Sequence, residues 1–124
     1  MFTINDVLHA GLLVENTARS LEFYQGVLGL ERDARRPDLG YPGAWLRMGR
    51  QQIHLMELPN PDPVTGRPAH GGRDRHVALG VSDVEELRMA LDAAGIAYTR
   101  SRSGRKALFC RDPDGNALEF VEQA

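Results

Sequence analysis

The sequence predicts an α+β fold: two paired β-α-β-β-β modules that build an open eight-stranded sheet around a shared cleft. Three observations carry this expectation. An internal repeat relates the two halves, short apolar runs alternate with period two, and a Pro/Gly-rich stretch separates the halves. The repeat is plainest where each half opens. His9-Ala-Gly-Leu-Leu-Val14 resembles His76-Val-Ala-Leu-Gly-Val81 at an offset of 67 residues.

Each opening run is short enough for a strand and leads into a capped amphipathic segment. In the first half Asn16 or Thr17 can cap, and Leu21, Tyr24, Val27 and Leu28 lie at helical spacing. In the second half Asp83 caps, with Glu86 three residues on, and Leu87, Ala90, Leu91 and Ala94 make the apolar face. Gly29 and Gly95 stand where a left-handed C-terminal cap belongs. Three strand-like stretches follow in each half. They are 30–35, 44–48 and 51–58, then 97–100, 106–111 and 116–122. Asp112-Pro-Asp-Gly115 has Pro second and Gly fourth, as in a type I turn, and Gly49-Arg50 holds the matching place. The stretch 59–73 contains four prolines and three glycines and reads as a linker. The chain, 1–124, is therefore expected to be one domain, with modules at about 1–58 and about 74–124.

A β-α-β-β-β half covers one face of its sheet with its own helix and leaves the other face open. Alternation assigns Leu8, Ala10, Leu12 and Val14, with Val77, Leu79 and Val81, to the helix side. Ile53 and Leu55 match Leu118 and Phe120 as core. The opposite parity carries His9 and His54 in one half, and His76 and Glu119 in the other. Three of the four histidines thus occupy repeat-matched positions, and the fourth matched position is a carboxylate. Burying a carboxylate beside imidazoles is costly unless a cation satisfies them. Three imidazoles and a carboxylate suit Zn, Fe, Mn or Ni, with coordination positions left for substrate. The small Gly11, Ala78 and Gly80 leave room beside them.

Composition narrows the partners. Fifteen Lys+Arg against 17 Asp+Glu, a net charge of -2 and no basic run argue against nucleic acid. No apolar run approaches the roughly 20 residues that span a bilayer, and the N-terminus lacks signal-peptide features. A single cysteine fits a reducing, cytoplasmic setting. Fourteen of the fifteen basic residues are Arg, a bias that genome composition explains. Where Arg crowds a candidate site, its fork can also hold an anionic group. Arg75 beside the linker and Arg105 in the second half are the candidates for that role, and Trp45 is a candidate cleft wall. His70 reads as a linker histidine, and Cys110 as a small core residue.

The paired halves, the opening histidines, Leu21-Glu-Phe-Tyr24 leading to Leu28-Gly-Leu30, and Asp112-Pro-Asp-Gly-Asn116 before Leu118-Glu119 resemble the vicinal oxygen chelate superfamily. That group includes glyoxalase I, fosfomycin-resistance thiol transferases, extradiol dioxygenases and bleomycin-resistance binding proteins. The resemblance implies a glyoxalase-like fold, a divalent metal, and metal positions at His9, His76 and Glu119. At the fourth position glyoxalase I typically has Glu, where this chain has His54. It further implies a small substrate with two adjacent oxygens and Glu119 as ligand and base. Members this short often form homodimers whose sites take residues from both subunits. Iron would point instead to a dioxygenase, and absence of metal to a drug-binding protein.

Overall fold

A computed structural model describes residues 1–123. The first module contains β1 (His9–Val14), α1 (Thr17–Tyr24), β2 (Glu31–Arg32), β3 (Gly43–Met48) and β4 (Gln51–Glu57). The second contains β5 (His76–Val81), α2 (Val84–Ala93), β6 (Tyr98–Arg100), β7 (Ala107–Arg111) and β8 (Ala117–Glu122). The eight strands divide into two four-stranded sheets of the same order, β1-β4-β3-β2 and β5-β8-β7-β6. In each, the opening strand runs parallel to the closing strand and the remaining pairs are antiparallel.

Local chemistry explains the elements. Asn16 caps α1 by accepting from the backbone N–H of Arg19, and Asp83 caps α2 through Glu85 and Glu86. Gly29 and Gly95 have φ of 73° and 70°, the left-handed conformation a β-carbon resists. The 112–115 turn closes with Gly115 N–H donating to Asp112 C=O at 3.0 Å. Inward parity then buries Leu46, Ile53 and Leu55 in the first module, and Leu108, Leu118 and Phe120 in the second.

Three expectations need correction. Leu8 is 70% exposed, and β1 begins one residue later, at His9. The second strand shrinks from 30–35 to Glu31–Arg32, since Asp33 turns its carboxylate onto the Arg35 backbone N–H and side chain. The linker is not featureless. It makes a single 3₁₀ turn, Gly71–Arg73, and buries His70 with Nδ1 2.7 Å from Thr99 Oγ1 and its ring against Phe109.

The modules join through α1 and the 112–116 turn. Tyr24, fully buried, donates its hydroxyl to Asp112 Oδ2 at 2.7 Å. Asp114 accepts from the Glu15 N–H and from Arg19, and Asn116 Nδ2 donates to Leu13 C=O at 3.0 Å. Burial pushes both the Tyr24 hydroxyl and the Asp112 carboxyl above their ordinary pKa. The shift keeps the Tyr24 hydroxyl a donor, while the hydrogen bonds from Tyr24 and Asn116 oppose the rise at Asp112 and favour its carboxylate form.

Candidate metal centre

Strand register builds the candidate site twice over. His9 pairs with Gln52, so His54 lies two residues further along β4 on the same face. His76 pairs with Ala117, so Glu119 lies two residues further along β8 in the same relation. The third strands add Trp45 opposite His54 and Phe109 opposite Glu119. The internal repeat thus places each candidate pair beneath an aromatic ring at the same register point.

In the first module the rings stack. His9 and His54 lie 3.9 Å apart between centroids at 12°, and Trp45 stacks on the far side of His54 at 4.5 Å. Trp45 is therefore a support for His54. Burial lowers the His54 pKa, and the nearby His9 and Arg36 lower it further, so the ring is neutral at pH 7.

In the second module His76 Nε2 stands 3.3 Å from Glu119 Oε1. The other nitrogen of His76, Nδ1, is 2.8 Å from the Asp74 carbonyl. A carbonyl only accepts, so Nδ1 carries a proton and Nε2 is the nitrogen that faces the carboxylate. Two acceptors facing one another need a cation between them, either a proton or a metal ion. Metal–nitrogen and metal–oxygen bonds of about 2.1 Å set two tetrahedral ligands about 3.4 Å apart, so the donor set fits a metal. The fixed tautomer, with its N–H on a backbone carbonyl, is the arrangement metal-ligating histidines use.

Glu119, assigned by parity to an open face, is 3% exposed. Arg105 reaches across and donates to Glu119 Oε2 at 2.9 Å, while its own side chain stays 58% exposed. Arg75 instead pairs with Asp62 at 2.7 Å. The room foreseen at Gly80 is taken by Gln123, whose amide oxygen would lie 2.3 Å from an added β-carbon. Cys110 is buried and its thiol pushed up to about 12, consistent with an inert core residue.

One chain thus brings the four candidates together as two pairs, not as a quartet. Among the described residues, no three His, Cys, Asp or Glu lie close enough to hold one metal ion. A cleft of about 280 Å³ between the modules includes His76, Gly11 and Gly115 in its lining but not His9, His54 or Glu119. Sequence reasoning missed Gln52, which contacts His54, and Asp33, which contacts Gln52 in turn. The alternation did place Gln52 on the same face as His54, and that was the available signal.

Two βαβββ modules related by an internal repeat, each presenting a donor pair from its opening and closing strands, define a class of small paired-module proteins. The comparisons place the chain within it. The family model for the Glyoxalase/Bleomycin resistance protein/Dioxygenase superfamily matches residues 6–120, and the chain belongs to that superfamily. It is 32% identical over 127 aligned residues to lactoylglutathione lyase of Haemophilus influenzae, covering 94% of this chain and 91% of that protein. It is 31% identical over 117 to Glyoxylase I 4 of Arabidopsis thaliana, covering 90% and 67%. A glyoxalase-family structure from Bacillus anthracis superposes with a TM-score of 0.83 at 23% identity, covering 100% and 99%. Lactoylglutathione lyase from Agrobacterium tumefaciens gives 0.68 at 26%, covering 96% and 94%. Among the described residues, no helix is long and apolar enough to cross a membrane.

Proposed function

We propose that the protein is a glyoxalase-like, divalent-metal-dependent enzyme acting on a small anionic substrate with two adjacent oxygens. Its site takes His9 and His54 from one chain and His76 and Glu119 from a second copy. The observation that carries this reading is the pair in the second module: His76 Nε2 stands 3.3 Å from Glu119 Oε1 while Nδ1 is held on the Asp74 carbonyl. The split of four donors into two matched pairs supports a homodimer, because a two-fold axis can bring unlike halves of two chains together. The lyase names carried by relatives at about 30% identity support the reaction class.

A bound metal supplies Lewis-acid polarisation of the substrate oxygens. The chain supplies the rest. Glu119 is the carboxylate that takes a proton from the carbon beside the carbonyl and returns it to the neighbouring position. Arg105, anchored on Oε2 and largely exposed, turns its remaining N–H groups outward to an anionic substrate group. His9, His54 and His76 hold the metal as neutral imidazoles. Trp45 keeps the first pair from tilting by stacking on His54.

The test is Glu119→Gln. Its metal affinity, read by calorimetry, is expected to fall at least about tenfold. When excess metal is restored, turnover of a substrate accepted by the parent is expected to stay absent. Near-parental turnover in that variant would remove Glu119 as the base. Iron in the purified parent together with oxygen consumption would replace the lyase assignment with oxygen chemistry.

A further inference from the structure

We propose that Asp33 and Gln52 are positioning residues that fix the tautomer of His54 and so select Nδ1 as its metal-facing nitrogen. Arg35, Asp33, Gln52 and His54 are linked in a row by hydrogen bonds. Arg35 donates to Asp33 twice through its side chain, from Nη2 to Oδ2 at 2.8 Å and from Nε to Oδ1 at 3.0 Å. Its backbone N–H also donates to Oδ1 at 3.0 Å. Gln52 lies 2.9 Å from Asp33 Oδ2 through one end of its amide, and 2.7 Å from His54 Nε2 through the other.

The direction of the row is dictated by what each group can do. An ionised carboxylate only accepts, and Arg35 holds the Asp33 carboxyl well below the usual range. The amide group facing Asp33 must therefore be the Gln52 NH₂. That leaves the Gln52 carbonyl oxygen toward His54, where it can only accept. Nε2 of His54 must carry the proton, and the lone pair of the neutral ring sits on Nδ1. The stacked rings of His9 and Trp45 on either side prevent the imidazole from escaping the arrangement by tilting.

The second module reaches the same end by the opposite nitrogen. There the Asp74 carbonyl accepts the Nδ1–H of His76 and leaves Nε2 as the nitrogen toward Glu119. The repeat-matched Glu119 needs no tautomer at all. A histidine at that closing-strand position does, and Asp33 with Gln52 supplies it. Asp33 is brought within reach because its backbone N–H is held by Trp45 C=O at 2.7 Å, beside the ring that stacks on His54.

For its consequence on metal binding the inference rests on the proposed site, whereas the tautomer can be read without any metal. The experiment uses the full-length, ¹⁵N-labelled protein stripped of metal, at about pH 8 where imidazoles are neutral. Long-range ¹H–¹⁵N correlation reports which nitrogen of each ring is protonated. The parent is expected to show His54 as Nε2–H alone. In Asp33→Asn, two Arg35 donors, the backbone N–H and Nε, hold the new amide oxygen at the Oδ1 position. Its NH₂ therefore faces Gln52, and the exposed Arg35 Nη2 turns away to solvent. Gln52 then rotates its own NH₂ toward His54, and the proton moves to Nδ1. Zinc affinity by calorimetry is expected to fall about tenfold or more in that variant. A His54 that remains Nε2–H in Asp33→Asn overturns the proposal. Should that variant not fold, Gln52→Leu is expected to release His54 into a mixture of both tautomers, and a single Nε2–H form there overturns it equally. If the tautomer shifts as stated but the parent binds no zinc, nickel, iron or manganese, the relay stands and the metal-site reading fails.

Discussion

Tyr24→Phe removes one oxygen atom from the joint between the modules. In the parent that hydroxyl is fully buried and donates to Asp112 Oδ2 at 2.7 Å. Asp112 keeps three other donors, the N–H groups of Asp114 and Asn116 and the Asn116 side chain. The variant therefore loses one hydrogen bond to a charged acceptor, which stabilises by roughly 1.5–3 kcal/mol; about 2 kcal/mol is expected here. The pH dependence gives a second reading. Burial already raises the Asp112 pKa, and the Tyr24 hydrogen bond opposes that rise, so the variant raises it further. A carboxyl whose folded pKa lies above its unfolded value makes folding relatively more favourable as pH falls through that interval. The deficit of Tyr24→Phe should thus be full at pH 7 and shrink as Asp112 takes up its proton. Urea unfolding from about pH 7 down into the carboxylate range measures both. A loss below about 0.5 kcal/mol at pH 7, or one that does not change with pH, would refute the assignment of Asp112 as a buried, ionised acceptor.

Gly115→Val puts a β-branched residue at φ 85°, which costs about 1–3 kcal/mol and disturbs the turn that sets the Glu119 register; metal affinity should fall although no ligand is touched, and unchanged affinity would show the register is held elsewhere. Leu118→Ala, at a position with no exposure, should cost about 2–5 kcal/mol in urea unfolding, and a loss under about 1 kcal/mol would mean the second-module core is looser than described. His54→Glu exchanges the neutral donor for the carboxylate glyoxalase I typically has there, so zinc should still bind by calorimetry. His54→Ala with zinc affinity equal to the parent's would contradict a ligand role for that position.

Much of the fold was legible because period and punctuation agree at each level. Gly29, Gly95 and the 112–115 turn follow from backbone sterics, and the alternation around Ile53 and Leu118 follows from the pleat. What the sequence concealed depends on contacts across chain distance. Tyr24 looked like one more residue of a helical stripe, and only its neighbour across the module joint makes it a polar partner of Asp112. Parity puts Glu119 on the face opposite Leu118 and Phe120, but the carboxylate is buried, and the Arg105 side chain that reaches it comes from a loop fourteen residues away. Arg75 and Arg105 are equally plausible anion holders in the sequence. Asp62 and Glu119 distinguish them only once folded. The His54 relay was hidden because Gln52 on β4 and Asp33, just past the end of β2, meet only once the sheet forms.

The central claim is that one metal site is made by two chains, with His9 and His54 from one and His76 and Glu119 from the other. Complementation tests it most directly. One variant carries His9→Ala with His54→Ala, the other His76→Ala with Glu119→Gln, and neither alone should bind zinc tightly. Equal amounts are unfolded together and refolded. Random pairing makes about half of the dimers mixed, and each mixed dimer has one intact site of two, so about one quarter of the parental capacity should return. Recovery of that capacity by calorimetry is the predicted result. A mixture that binds no more zinc than the two variants separately would contradict the shared site.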